Sequence, residues 1–298
     1  MPPDGDLSYA TAGGAAESFE PHRRRLTSLA YRMLGSLADA QDIVQDAFLR
    51  WQAADRAEVR SPGAWLSRVV TRLAVDQLKS ARARRETYVG PWLPEPIVED
   101  LTVETIESHA QDLSFAMMLA LERLSPLERA AFLLHDVFDV SFAEIADTLG
   151  RSEAACRQLA ARARSQIRKG RPRFRASEAE AQSLLTAFYE AARSGDTETL
   201  GRVLAEDVVC HTDGGGKRLA ALNVVVGRAK IQRFYRARAR KTGGGAVLDR
   251  FVRINGLPGY ITTEADGLPQ ATALEIVDGR IVAIYVVRNP DKLQQLRT

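Results

Sequence analysis

Cysteine is scarce in this chain, with only Cys156 and Cys210 among 298 residues. Two thiols cannot build a metal cluster alone, and one disulfide would do little for a chain this long. A reduced, cytoplasmic setting is therefore expected. No stretch approaches the roughly 18 consecutive apolar residues of a membrane span. The opening "MPPDGDLSYATAGGAAES" lacks a basic start followed by an apolar run, so residues 1–18 read as a disordered tail rather than a secretory signal. Lysine and arginine are missing altogether from residues 86–120, which hold seven acidic residues. No nucleophile–base pairing, metal-ligand spacing or cofactor fingerprint stands out, so no catalytic residue, metal site or cofactor is expected.

What is present is ordinary in bulk and uneven in detail. Hydrophobic content of 45% and charged content of 27% suit a globular protein with enough chain for two or three cores. The net charge of +3 hides two basic blocks, at 21–85 and 121–175, on either side of the acidic stretch. Such blocks suggest a polyanion partner, although each alone also reads as a solvated helix face.

Periodicity places the helices. In "SLADAQDIVQDAFLRW", with Ser36 or Asp39 as cap, Ala40, Ile43, Val44, Ala47, Phe48 and Trp51 recur at three- and four-residue spacing. Asp39, Asp42 and Asp46 fall on the outward face. After Ser61-Pro62-Gly63, "AWLSRVVTRLAVDQLKSARARRE" puts Trp65, Leu66 and Val70 inside. Arg68, Arg72, Lys79, Arg82, Arg84 and Arg85 fall outside. "YVGPWLPEPIVEDLTVE" then breaks the period, with three prolines in six residues favouring an extended path. Beyond residue 178 two short helices, "AQSLLTAFYEAARSGD" and "TETLGRVLAED", lead into β-rich segments, and Asp278-Gly279 between two alternating runs signals a hairpin.

The most informative stretch is "SFAEIADTLGRSEAACRQLAARARSQIRK". One helix ends at Gly150, which tolerates a left-handed turn. A second starts after Ser152, with Glu153 beside its positive end. This predicts a helix-turn-helix, with an ordinary helical hairpin as the alternative. Arg157 and Gln158 are the expected base readers, and Arg162 and Arg164 the expected phosphate contacts.

These stretches resemble regions 2 and 4 of bacterial sigma factors of the extracytoplasmic function (ECF) class. The resemblance implies that Asp39, Asp42, Gln45 and Asp46 bind a coiled coil of core RNA polymerase, and that the following helix meets the minus-ten element. It also implies that region 4, including Ser152 and Glu153, reads the minus-thirty-five element. Arg72 departs from the Asn common at its position. The remainder resembles the SnoaL-like family, a cone-shaped α+β fold. Three motifs carry the resemblance to ECF factors with such a tail: "YVGPWLPEP" (with Trp92, Pro94 and Glu95), "DGGGK" and "NPDKL". In that subgroup the tail is a fused regulator, so Asp213, Gly214, Gly215, Gly216 and Lys217, and then Asn289, Pro290, Asp291, Lys292 and Leu293, are expected regulatory contacts.

The expected architecture is multidomain. A disordered tail at 1–18 precedes a helical region 2 at 19–87, an acidic, proline-containing linker at 88–112 and a helical region 4 at 113–172. An α+β cone at 178–298 completes it. The expected function is a promoter-specificity subunit of core RNA polymerase, non-enzymatic, acting on promoter DNA. The cone touches the sigma regions or the linker, through basic groups such as Lys217, Arg218 or Lys292 on its acidic surface. The alternative is a helix-turn-helix regulator with a ligand-binding or catalytic cone, acting without core polymerase. "HTDGGGK" lacks the Ser or Thr and following helix of a phosphate loop. His211 and Asp213 remain as a candidate acid–base pair in the cone, against a glycine-rich bend.

Overall fold

A computed structural model describes residues 6–85, 88–99, 114–167, 177–243 and 245–296. The chain divides into two compact units. One comprises Met1–Arg84 and Ala120–Lys169, the other Arg85–Leu119 and Gly170–Thr298.

The first unit is helical. Helix α1 runs Asp6–Leu34, α2 Leu37–Ala53 and α3 Pro62–Arg85. Ser36 caps α2 by accepting from the Asp39 N–H, satisfying one of the donors a helix start leaves open. The expected stripe is buried at Ala40, Ile43, Val44, Ala47 and Trp51, while Phe48 packs edge-on against Phe19 at 4.9 Å. The expected tail is different from its first described residue onward: α1 begins at Asp6. Ala15 is fully buried, and the Ser18 hydroxyl accepts from Trp51 Nε1 at 3.0 Å. Small residues there fit closely against α2, which outweighs their weak apolar signal.

Helices α4 (Phe115–Glu122, its residues up to Leu119 belonging to the second unit), α5 (Pro126–Phe132), α6 (Phe142–Leu149) and α7 (Glu153–Ile167) follow, with a π-helical turn at Leu133–Val137 after α5. Ser125 and Ser141 each form a capping box with the glutamate three residues on. Arg129 is buried, donating through Nε to the Arg32 carbonyl at 2.9 Å and through Nη1 to Glu122. Burial pulls its pKa down to about 9, so it remains a cation at neutral pH and holds α1 to α5.

The second unit is a seven-stranded sheet in the order β1-β4-β5-β6-β7-β2-β3. The strands are β1 (Val98–Glu99), β2 (Leu204–Asp213), β3 (Val225–Val226), β4 (Val247–Ile254), β5 (Leu257–Thr263), β6 (Pro269–Val277) and β7 (Arg280–Val287). Pairing is antiparallel except between β2 and β7. Helices α8 (Glu178–Ser194), α9 (Thr197–Val203) and α10 (Arg228–Thr242) belong to the same unit. Sequence reading missed α10, whose buried apolar residues are few, Ile231 and Tyr235, in an arginine-rich segment. The hairpin at Asp278-Gly279 forms as expected, both residues having positive φ.

Two apolar clusters flank the sheet. One gathers Phe188, Leu200, Cys210, Tyr235, Ile284 and Val286 beside the helices. The other gathers Leu93, Phe115, Ile254, Tyr285, Val287 and Leu293. Alternation along β7 sends Ile284 and Val286 to the first and Tyr285 and Val287 to the second. The acidic stretch therefore contributes to a core at Leu93, which its composition hides.

Candidate functional site

Two charged side chains form the centre of the second unit's linker-bearing face. Asp213, at the end of β2, is fully buried. Its carboxylate accepts from Tyr88 Oη at 2.6 Å, the Leu93 N–H at 2.8 Å, the Gly215 N–H at 3.0 Å and Lys292 Nζ at 2.7 Å. Lys292 also donates to the Leu93 carbonyl. Its ammonium lies 4.4 Å from the Trp92 ring centroid and 5.0 Å from that of Tyr88, a cation held by two aromatic faces. Asn289 donates through Nδ2 to Tyr88 Oη at 2.9 Å and accepts the Asp291 N–H through Oδ1. Burial, then the bond to Asp213, raises the Tyr88 pKa above that of free tyrosine, so its hydroxyl stays a donor.

Strand topology builds this centre. Because β2 and β7 are parallel neighbours, their ends lie at the same edge of the sheet. The Asp213 carbonyl accepts the Arg288 and Asn289 N–H groups at 2.7 and 2.9 Å, which sets "DGGGK" beside "NPDKL". The glycines have separate causes. A Cβ on Gly214 would lie 2.1 Å from the Arg218 carbonyl oxygen, whereas Gly215 and Gly216 hold φ of 61° and 70°. Lys217 pairs with Asp291 at 2.6 Å and Arg218 with Asp266 at 2.8 Å. The expectation that Lys217 and Arg218 face the acidic linker is thus corrected: cone carboxylates take both. Lys292 reaches the linker, but at a carbonyl and aromatic rings.

The linker continues along the sheet. The Ile97 N–H donates to Asn255 Oδ1 and the Ile97 carbonyl accepts the Asn255 N–H. Gln295 donates to the Pro96 carbonyl at 2.8 Å, and β1 adds to the edge strand β4. Pro94 is buried, while Trp92 and Glu95 are half-buried. Leu293 is buried in the same cluster as Leu93, and Pro290 opens the short helical turn Pro290–Lys292. Phe115 stacks on Tyr285 at 5.0 Å, and His211 stacks on the same ring at 5.5 Å. His211 therefore lies with the linker-side cluster. It does not line the water-sized cavity of about 20 Å³ beside α8 and α10, which Arg238, Tyr260, Glu264 and Gln270 surround.

In the first unit the helix-turn-helix forms as expected. Gly150 is left-handed, at φ 62° and ψ 45°, and the Ser152 hydroxyl accepts the Ala155 N–H. Glu153 pairs with Arg157 at 2.6 Å, and the Arg157 guanidinium lies 5.3 Å from the Phe142 ring centroid. Gln158 and Arg162 are exposed. Arg164 binds Asp136 at 2.6 Å, leaving it less available for phosphate than expected. Leu159 on this helix is half-buried, and Cys156, Ala160, Ala163 and Ile167 form its buried face.

Comparison with known proteins identifies both helical modules. Sigma-70 region 2 matches residues 19–84, and Sigma-70, region 4 matches residues 114–167. The ECF RNA polymerase sigma factor SigJ of Mycobacterium tuberculosis is 40% identical over an alignment of 287 residues that covers 92% of this chain and 91% of that one. The chain belongs to the ECF RNA polymerase sigma factors. A probable ECF sigma factor of the same organism, SigI, is 32% identical over 94% of this chain and 95% of its own. The crystal structure of the Mycobacterium tuberculosis SigJ protein covers 94% of this chain and 98% of that one, with 38% identity and a TM-score of 0.76. That match includes the C-terminal α+β domain.

The sigma factor is thus a promoter-specificity subunit of RNA polymerase, and the reading without core polymerase is set aside. On region 2, Asp42, Gln45 and Asp46 are exposed on α2 and Asp39 is half-buried beside its cap. Arg68 is half-buried, and Lys79 pairs with Asp76 at 2.8 Å. Arg72 donates to the carbonyls of Thr148 and Asp147 at 2.9 and 3.0 Å, where a cation meets the negative end of α6. The side chains of Arg82, Arg84 and Arg85 lie outside the described residues. Sequence reasoning missed Tyr88, Leu93, Phe115, Asn255, Tyr285 and Gln295 as contact residues. Their apolar or amide character carries no local signal of a partner distant in the chain.

Proposed function

We propose that this sigma factor is regulated by whether its linker lies on its C-terminal domain, with Asp213 and Lys292 as the latch. One observation carries the reading: a fully buried carboxylate in the domain takes its donors from the linker and from the "NPDKL" turn together. Such a carboxylate is costly to leave unpaired, so the linker is either held or released as a piece. Release frees the chain that joins region 2 to region 4, and their spacing on promoter DNA becomes adjustable. The domain acts as a docking surface rather than an enzyme. The stacking of His211 on Tyr285, away from the cavity beside the helices, supports this.

Within this reading, Asp39, Asp42, Gln45 and Asp46 bind the polymerase core. Arg68, Arg72, Lys79, Arg82, Arg84 and Arg85 serve the minus-ten side, where basic groups neutralise phosphate. Ser152, Glu153, Arg157, Gln158, Arg162 and Arg164 serve the upstream element. The closing pairs Arg72–α6 and Arg164–Asp136 yield to DNA when the complex forms.

The test is transcription by reconstituted holoenzyme carrying Asp213→Ala, Lys292→Ala, or a deletion from residue 289 onward. Promoter-driven output changes while the affinity for core polymerase stays constant. Unchanged output from all three overturns the proposal. Turnover of a small molecule that His211→Ala abolishes would instead make the domain an enzyme.

A further inference from the structure

A second cavity, about 410 Å³, lies within the first unit. Helix α1 supplies His22, Arg25 and Leu26, and the start of α3 supplies residues 61–64, Ser67 and Arg68. The rest of the wall is Leu134, residues 138–140, Glu144 and Thr148. Its polar groups are incompletely used. Arg68 Nε is buried with no hydrogen-bond partner, and such a group in a folded protein calls for a missing partner. Neither the His22 nor the Arg68 side chain makes an ion pair or hydrogen bond among the described residues. Arg25 spends one Nη on the Phe138 carbonyl at 2.6 Å, leaving the remaining donors of its fork.

The start of α3 adds to the same field. This is a 24-residue helix beginning at Pro62; Ser61 takes the Ala64 N–H on its hydroxyl and the Trp65 N–H on its carbonyl, which leaves the Gly63 N–H and the helix dipole to favour an anion. Gly63 makes room for His22 beside this end, since a Cβ there would lie 2.9 Å from the imidazole ring. Two carboxylates share the wall. Glu144 is tied up by the Ser141 hydroxyl and N–H, and Asp139 sits on a left-handed residue of the turn. The cavity exceeds the volume of one oxyanion, and Leu26, Leu134 and Val140 give it an apolar wall.

We propose that this cavity binds a phosphorylated small molecule of nucleotide size. The phosphate meets Arg68, Arg25 and the start of α3, and its organic body rests on the apolar wall. Bound there, it bridges α1 and α3 to α6 and the turn before it. It also competes with promoter phosphates for Arg68, linking a soluble metabolite to promoter occupancy.

Calorimetric titration of the full-length protein with pyrophosphate, adenosine triphosphate and guanosine triphosphate tests this. At least one probe gives saturable binding that R68M weakens by about tenfold or more. R25M, which keeps an aliphatic stem in the wall, weakens it likewise, and R233M on the exposed face of α10 does not. Thermal unfolding of each variant shows whether it is folded, and R25M decides if R68M is not. Absence of saturable binding by all three probes overturns the proposal. So does binding indifferent to R68M and R25M, or equal loss in R233M. Binding of promoter DNA alone, sensitive to Arg68, would assign the residue to the nucleic acid only and also overturn it.

Discussion

Asp213 shows how much one buried side chain can hold. Asp213→Ala leaves the Lys292 ammonium without its carboxylate, and breaking a buried pair costs about 3–5 kcal/mol. Denaturant unfolding of the second unit, followed through Trp92 fluorescence, should show a loss of that size. Tyr88→Phe removes the bond to a charged acceptor, together with the one accepted from Asn289, and should cost less, about 1.5–3 kcal/mol. The same residue gives a pH signature. Its pKa is raised in the docked state by burial and by Asp213, so its contribution is whole below the free tyrosine value of about 10 and fades as pH rises beyond it. Ultraviolet titration of the parent against Tyr88→Phe should show one phenol ionising late. An earlier, ordinary ionisation of Tyr88 would mean that its bond to Asp213 is not kept in solution. Gly214→Ala should also disturb this edge, because the new methyl meets backbone rather than a movable side chain.

The proposed polymerase and promoter surfaces lie on helices, and each has its own test. The acids of α2 sit on the face opposite its buried stripe, so D42K with D46K leaves the helix folded. Co-purification with core polymerase should disappear while circular dichroism stays unchanged. On α7, Arg157 sits near the helix start with Glu153 and Phe142. Arg157→Ala should change base preference upstream by about 1–3 kcal/mol, whereas Arg162→Ala weakens all sequences alike and reduces the salt slope. Binding measured on a set of substituted promoters separates the two. Equal weakening of every site by Arg157→Ala would remove it from the base readers.

At the scale of the whole molecule, one stretch of chain belongs to the sigma connection and to the domain core at once. Residues 88–99 enter the second unit through hydrogen bonds, an aromatic cage and a strand pair. Phe115, at the start of region 4's first helix, is stacked in the same cluster. Removing residues 289 onward deletes Asn289, Lys292, Leu293 and Gln295, four of the groups that hold this stretch. Protease cleavage within residues 88–99 should then become fast in an otherwise folded protein. Resistance equal to that of the parent would mean that the strand pair alone suffices to hold the linker.

The sequence by itself determined what depends on near neighbours. Apolar spacing placed α2 and α3, Gly150 and Ser152 placed the turn between α6 and α7, and Asp278-Gly279 placed the β6–β7 hairpin. The motifs of the linker and tail were visible as well, and so was the family. The tertiary structure alone decided which of those motifs meet, and through which atoms. The parallel pairing of β2 with β7 puts Asp213 beside Asn289, 76 positions away in "DGGGK" and "NPDKL". Local periodicity holds no record of such pairing, because sheet register is a choice among distant strands. The same reason explains Leu93, an apolar residue in an acidic run that becomes core only when β4 and β7 supply the other side. It also explains Arg72, whose partners are backbone carbonyls of α6 that no side-chain pattern reveals.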